Sequence, residues 1–410
     1  MHAIALKCRN CGAEYEPAPL YVCRRCLGPL EVKYSYDELK LDKKDFVNRV
    51  KSIWRYKELL PIKEPLKFFY MDTGFTPLRR SIRLAEGLGL KKLYIKDDTV
   101  NPTGSFKDRP ASIAVCKSIE FEFKAVGCAS TGNLAAATAS YAAKTGIPCY
   151  VFIPSDLEVG KILQIASYNP TVIAVKGTYD VVNRLTTQIS ELYNIAVVNV
   201  NLRPYYVEGS KTPAFEVCEQ LEWTTPDYFI IPVGSGALLC AINRGLKELE
   251  VLDLIRNNVK LIGVQPEGCS PIVSAFKRGM DNVIPIEKPN TIVKSLAIGD
   301  PADGEYVLKA LRESGGFAES VNDKEALDGM RLLAKTEGIL TEPAGGVVIA
   351  SLKKLVEEGS ILPSETVVCY ITGSGLKTLE VLDREIKPIV VEPNLDSVLR
   401  VLGGGEYGGS

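Results

Sequence analysis

The chain has 410 residues, enough for roughly two to four domains and a large buried core. Hydrophobic residues make up 46% and charged residues 24%, and 49 Lys+Arg against 50 Asp+Glu leave a net charge of −1, which argues against gripping nucleic acid or anionic membrane by bulk electrostatics. One histidine, His2, stands at the very start, so Ser-His-Asp, Cys-His and His-rich metal chemistry are set aside and any hard chemistry needs another carrier.

No apolar run approaches the ~20 residues of a membrane-spanning helix. The opening MHAIALKCRNCG has no signal-peptide core, so a cytoplasmic protein is expected. The same segment begins a cysteine pattern. Cys8, Cys11, Cys23 and Cys26 form two C-x-x-C pairs within residues 1–35, and four thiolates at this spacing suit tetrahedral zinc in a small ribbon. Two redox-active pairs are the alternative. A ribbon of this size needs a staple to fold, so its zinc would be structural. The other seven cysteines (Cys116, Cys128, Cys149, Cys218, Cys240, Cys269, Cys369) sit in apolar stretches and read as small buried hydrophobes.

Residues 36–65 are charged and helical in character, an arm or linker. From residue 66 short β-rich runs (AVGCAS, CYVFIP, TVIAVKG, IAVVNV, YFIIPVG, KLIGVQPEG, TVVCYITG) alternate with stretches of helical period, such as LAAATASYAAKTG and GVVIASLKKLVEEG. This alternation predicts an α/β fold with doubly wound parallel sheets, and the continuous apolar strands fit sheets covered on both faces. The chain closes on VLGGGEYGGS, a flexible tail over about 386–410.

Four turns carry candidate chemistry. In NPTGSFKDRP, Lys107 stands between a Pro-Thr-Gly-Ser turn and a helix start, where a lysine can be held and partly desolvated for imine formation; a surface lysine at a helix N-terminus is the plainer reading. Ala129–Asn133 (ASTGN) offers hydroxyls and amides suited to a carboxylate, or simple capping. Pro232–Leu238 (PVGSGAL) lacks the Walker lysine and the full G-x-G-x-x-G, yet makes a glycine-lined nest for one phosphate. Ile371–Lys377 (ITGSGLK) is another strand-to-helix turn.

With GFTPL (74–78), NVNLRPYYVEGSKTPAFE (199–216), KSLAIGDPADG (294–304) and EPAGG (342–346), these turns make eight motifs in order. The chain resembles the pyridoxal-phosphate enzymes of the tryptophan-synthase-β fold (fold type II), and within them the threonine synthase family with an N-terminal zinc ribbon. The resemblance spans about 65–385. It implies two doubly wound α/β domains with the cofactor in the cleft: a large domain of 66–110 and 216–385, and a small mobile one of 111–215. Lys107 would form the imine with pyridoxal 5'-phosphate and shuttle protons, with Phe106 beside it. Asn133 would bond the ring hydroxyl, and backbone amides of Gly234, Ser235, Gly236, Ala237 and Leu238 the cofactor phosphate. Thr372 would face the pyridine nitrogen, moderating the electron sink. Ser130, Thr131 and Asn133 would meet the substrate carboxylate, and Ser105, Lys211 and Arg203 its phosphate. Many family members carry an arginine where this chain has Tyr206, with Arg203 the nearest one. A homodimer is also implied.

The reaction implied is O-phospho-L-homoserine and water to L-threonine and phosphate. The rivals within the fold are O-phosphoserine-dependent cysteate or cysteine synthases and threonine or serine dehydratases. The rival from another class is a zinc-ribbon regulatory or nucleic-acid-binding protein.

Overall fold

The computed structural model describes residues 2–63, 73–130, 132–155, 159–176, 179–381 and 388–403. Thr131 and residues 64–65 of the expected arm lie outside them. Met1–Lys377 forms one compact unit and Thr378–Ser410 a second.

Three strands build the ribbon: β1 (Ala3–Cys8), β2 (Glu14–Tyr15) and β3 (Leu30–Tyr34), antiparallel in the order β2-β1-β3. Alternation in β3 buries Leu30, Val32 and Tyr34. These side chains join Leu6, Cys8 and Cys23 in a core shared with the body, including Ala111, Ile113 and Tyr205, so the ribbon is docked rather than tethered. The next segment departs from the expected helical arm. It forms two short 3-10 stretches, Lys43–Phe46 and Ile53–Leu59, and buries Phe46, Ile53, Trp54, Tyr56 and Leu59. Its aromatic residues, spaced too irregularly for one helical face, pack instead into the body; Phe46 meets Trp223 and Tyr56 meets Phe215.

The body holds two sheets. The larger has the order β12-β11-β10-β13-β5-β4, from β4 (Leu78–Ser81), β5 (Lys92–Asp97), β10 (Tyr228–Pro232), β11 (Lys260–Pro266), β12 (Phe317–Val321) and β13 (Thr366–Ile371). It is parallel except for β4 at its edge. The smaller, β8-β7-β6-β9, is wholly parallel, from β6 (Ala125–Ala129), β7 (Cys149–Pro154), β8 (Thr171–Val175) and β9 (Ile195–Val197). Every residue of β6 and β10 is buried, as sheets with helices on both faces require. The helix Asp108–Glu120 is buried along nearly its whole length, which its small residues Ala111, Ser112, Ala114 and Ser118 permit.

In the second unit, the stretch expected as a tail carries a helix over Leu395–Gly403. The Asn394 side chain caps it, accepting from the Ser397 amide at 2.9 Å. The glycine-rich end, 404–410, lies outside the described residues. Among the described residues no helix is long and apolar enough to cross a membrane.

Candidate active site

Parallel strands deliver their following loops to one sheet edge, where ligands of open α/β sheets bind. Here β10, β13 and β5 are neighbours, so the turns after them gather along that edge. The turn after β5 is laced to the turn after β13. Ser105 bridges to Gly373, the Phe106 amide donates to the Thr372 carbonyl at 2.9 Å, and the Ser374 amide to the Gly104 carbonyl at 2.9 Å. The EPAGG segment closes against the same turn, with the Glu342 amide donating to the Gly373 carbonyl at 2.9 Å. A Cβ at Gly373 would collide with the Glu342 carboxylate, so a larger residue there would displace that side chain.

Lys107 caps the helix Asp108–Glu120, its carbonyl accepting from Ala111 at 3.1 Å. The half-buried side chain brings Nζ to 3.1 Å from the Tyr206 hydroxyl, to which it donates, and 4.6 Å from the centre of the Phe106 ring. The residues after it are fixed. Asp108 accepts from the Thr103 amide at 3.1 Å and hydroxyl at 2.9 Å, and burial pushes its carboxyl up to about 6. Arg109 is fully buried, held by Asp98 at 2.7 Å and by Glu216, which also takes Lys96 at 2.6 Å.

Asn133 opens the helix Asn133–Thr145 after β6, and its Nδ2 donates to Glu342 Oε2 at 3.0 Å. Burial raises the Glu342 carboxyl, while Asn133, Lys377 and Lys107 pull the other way. Lys377 donates to the Thr103 carbonyl at 2.6 Å; burial lowers its ammonium, opposed by Glu342 and Asp108. Thr372 is buried beside them. Glu342, Lys377 and Tyr206 were not singled out as site residues from sequence, although all three lie inside quoted motifs.

The third turn, Gly234–Leu238, opens the helix Ala237–Val251. The Cys240 amide bonds the Gly236 carbonyl at 3.1 Å, so the amides just before it have no partner within the helix and face the positive end of its dipole. Gly236 has φ +97°, and a Cβ there would meet Asp303 at 2.9 Å. The Asp303 amide in turn donates to the Ser235 carbonyl at 2.9 Å.

Two expected contacts for a substrate phosphate are committed elsewhere. Lys211 is fully buried and paired with Glu208 at 2.7 Å and Glu248 at 2.8 Å, and Arg203 holds Asp303 at 2.7 Å. In this structure their charges face these carboxylates, which arrive partly from distant helices. The Ser105 hydroxyl is buried and bonds no described residue. Ser130 is half-buried, its Oγ accepting from the Gly132 amide at 3.3 Å, and Thr131 lies outside the described residues.

The sulfurs of Cys8, Cys11, Cys23 and Cys26 lie within 4.8 Å of one another, a cluster able to hold a metal ion. Burial works against a Cys23 thiolate, yet donors from Tyr15 and the amides of Arg25 and Cys26 outweigh it and bring the thiol down to about 6. At Cys26 the Gly28 amide favours the thiolate, but the Cys11 and Cys8 sulfurs win and push it up to about 12. Of the remaining seven cysteines six are buried and Cys240 is half-buried. Burial pushes Cys128 up to about 12, as expected of core thiols.

A cofactor that offers an aldehyde and a phosphate finds here an amine, an anion-binding turn and an unpartnered buried hydroxyl, all beside one sheet edge. The class so defined is the pyridoxal-phosphate enzymes: the family model described as "Pyridoxal-phosphate dependent enzyme" matches residues 70–373. The fold agrees, since threonine deaminase isoform 2 of Solanum lycopersicum superposes with a TM-score of 0.64 at 22% identity, covering 76% of this chain and 83% of that one. The chain is 40% identical over 403 residues to the threonine synthase of Methanosarcina acetivorans, covering 97% of this chain and 98% of that protein. It is also 40% identical over 400 residues to that of Methanocaldococcus jannaschii, covering 97% and 98%. The chain belongs to the pyridoxal-phosphate dependent enzymes, among the threonine synthases.

Proposed function

We propose that the chain converts O-phospho-L-homoserine and water to L-threonine and phosphate. The observation that carries the proposal is the near full-length match to threonine synthases, on a chain whose site amine, Lys107, contacts the phenol of Tyr206. Pyridoxal 5'-phosphate, when bound, supplies an electron sink that acidifies C–H bonds next to the substrate's amino group. Gly234, Ser235, Gly236, Ala237 and Leu238 hold its phosphate through backbone amides, Phe106 flanks it, Asn133 bonds its ring hydroxyl, and Thr372 offers a neutral hydroxyl to its ring nitrogen.

Nζ of Lys107 takes protons from the substrate's α and β carbons and returns them to the α and γ carbons, the γ carbon becoming the methyl group of threonine. The Tyr206 hydroxyl orients Nζ, and the bonds of Asp108 and Arg109 keep the helix start from shifting. Phosphate departs from the γ carbon and water adds at the β carbon. Ser130, Thr131 and Asn133 meet the substrate carboxylate. Ser105 and Lys377 serve its phosphate, Lys377 taking the part that Arg203 and Lys211 cannot while they hold carboxylates. We further propose that Cys8, Cys11, Cys23 and Cys26 bind a structural zinc ion, and that the enzyme is a cytoplasmic homodimer. Purified protein given O-phospho-L-homoserine should release phosphate and form threonine; turnover of O-phospho-L-serine alone would overturn the assignment.

A further inference from the structure

The ribbon's first cysteine knuckle touches the segment behind the phosphate turn. Arg9, between Cys8 and Cys11, donates to Asp303 Oδ1 at 3.2 Å. Its guanidinium lies 3.4 Å over the centre of the Tyr306 ring, and the Tyr306 hydroxyl donates to Asn10 of the same knuckle. The second Asp303 oxygen takes Arg203 at 2.7 Å. Asp303 is nearly buried, so its two guanidinium partners are screened less than a surface pair. The same residue supports the turn, through its amide on Ser235 and, together with Val307, through its close approach to Gly236, whose φ of +97° favours glycine.

From this we infer that the ribbon braces the anion-binding turn: a metal held by Cys8 and Cys11 fixes Arg9, Arg9 fixes the Asp303 carboxylate, and the Asp303 backbone keeps Ser235 and Gly236 in the shape that receives a phosphate. Arg9 and Asp303 are then positioning residues for the cofactor. The inference rests on the reading that this turn holds the cofactor phosphate and that the ribbon holds zinc. It gives the ribbon a task that composition and spacing leave open, and couples metal occupancy to cofactor affinity without any contact between metal and cofactor.

The test titrates full-length protein, freed of cofactor, with pyridoxal 5'-phosphate and counts bound zinc in each sample. Arg9→Ala with its zinc intact should raise the dissociation constant about fivefold, the scale of one partly screened charged contact. Arg9→Lys, which keeps the charge, should recover part of that loss. Lys33→Ala, on the ribbon but paired with Glu14 inside it, should change nothing. Stripping zinc with a chelator should weaken the wild type by a similar factor and add nothing to Arg9→Ala. Unchanged affinity in zinc-loaded Arg9→Ala, or in the stripped wild type, overturns the inference. Failure of every protein to bind the cofactor overturns instead the reading beneath it.

Discussion

Replacing Glu216 with glutamine tests the scaffold that holds the Lys107 turn. Glu216 is fully buried between Arg109 and Lys96, and its second role is to accept from the Thr76 amide of the GFTPL turn at 3.2 Å. Burial alone would raise its carboxyl, but Arg109 and Lys96 outweigh that and bring it from 4.5 down to about 2. That drop corresponds to roughly 3 kcal/mol of stability at neutral pH. Glutamine keeps the shape and removes the charge, leaving two buried cations with Asp98 alone, a loss of about 3–5 kcal/mol for a broken buried pair. Because the folded-state value is depressed, the stabilisation is complete above pH 4.5 and is lost as the pH falls toward about 2. Urea unfolding read by the fluorescence of buried Trp54 should therefore show wild type weakening across that acid window and Glu216→Gln weakened already at pH 7, with a flatter acid limb. Equal stability at pH 7, or an acid limb as steep as wild type, would refute the reasoning.

Three further outcomes are expected. Lys107→Ala should lose both turnover and the visible absorbance that a bound aldehyde cofactor gives wild type, while unfolding at an unchanged urea concentration; a variant that keeps the absorbance removes Lys107 from its role. Tyr206→Phe removes the acceptor of the Lys107 amine, and kcat should fall about fivefold, the worth of roughly one hydrogen bond, with KM nearly unchanged. Cys23→Ser should reduce bound metal, measured by elemental analysis, and loosen the ribbon so that protease cleaves within residues 1–35 before the body; full metal content in the variant would count against a four-cysteine site.

The legible parts of the fold are those whose physics is local. Seven apolar runs became β6, β7, β8, β9, β10, β11 and β13, because strands covered on both faces need unbroken apolar sequence. The ones that escaped carry charge inside the sheet. β5 reads KLYIKD, and Lys96 and Asp97 are buried there only because Glu216 and Arg79 meet them from elsewhere. β12 holds Glu319, satisfied by Lys277 and Lys354. The charged stretch after the ribbon suggested a helical arm, since nothing nearby in sequence shows that Trp223 and Phe215 await its aromatic residues. The site divides the same way. Glycine-rich turns after strands reveal themselves by composition, whereas the Asn133–Glu342 contact joins residues 209 positions apart.

The lysines sharpen this point. Lys107 and Lys211 each stand next to a small-residue turn and each begins a helix as its capping residue. From such signals both look equally able to meet an anion. Their surroundings differ in charge: Lys107 donates to a neutral phenol, while Lys211 is shut between Glu208 and Glu248, with Tyr34 of the ribbon and Arg244 completing the cluster. Lys211 is thus one member of a buried charge cluster in which Arg244 also meets both carboxylates. The fold sets Lys107 beside the Tyr206 hydroxyl and Lys211 among carboxylates. An arginine at position 206 would put a second cation beside Lys107 Nζ, whereas the tyrosine hydroxyl holds the direction of Nζ by a single hydrogen bond.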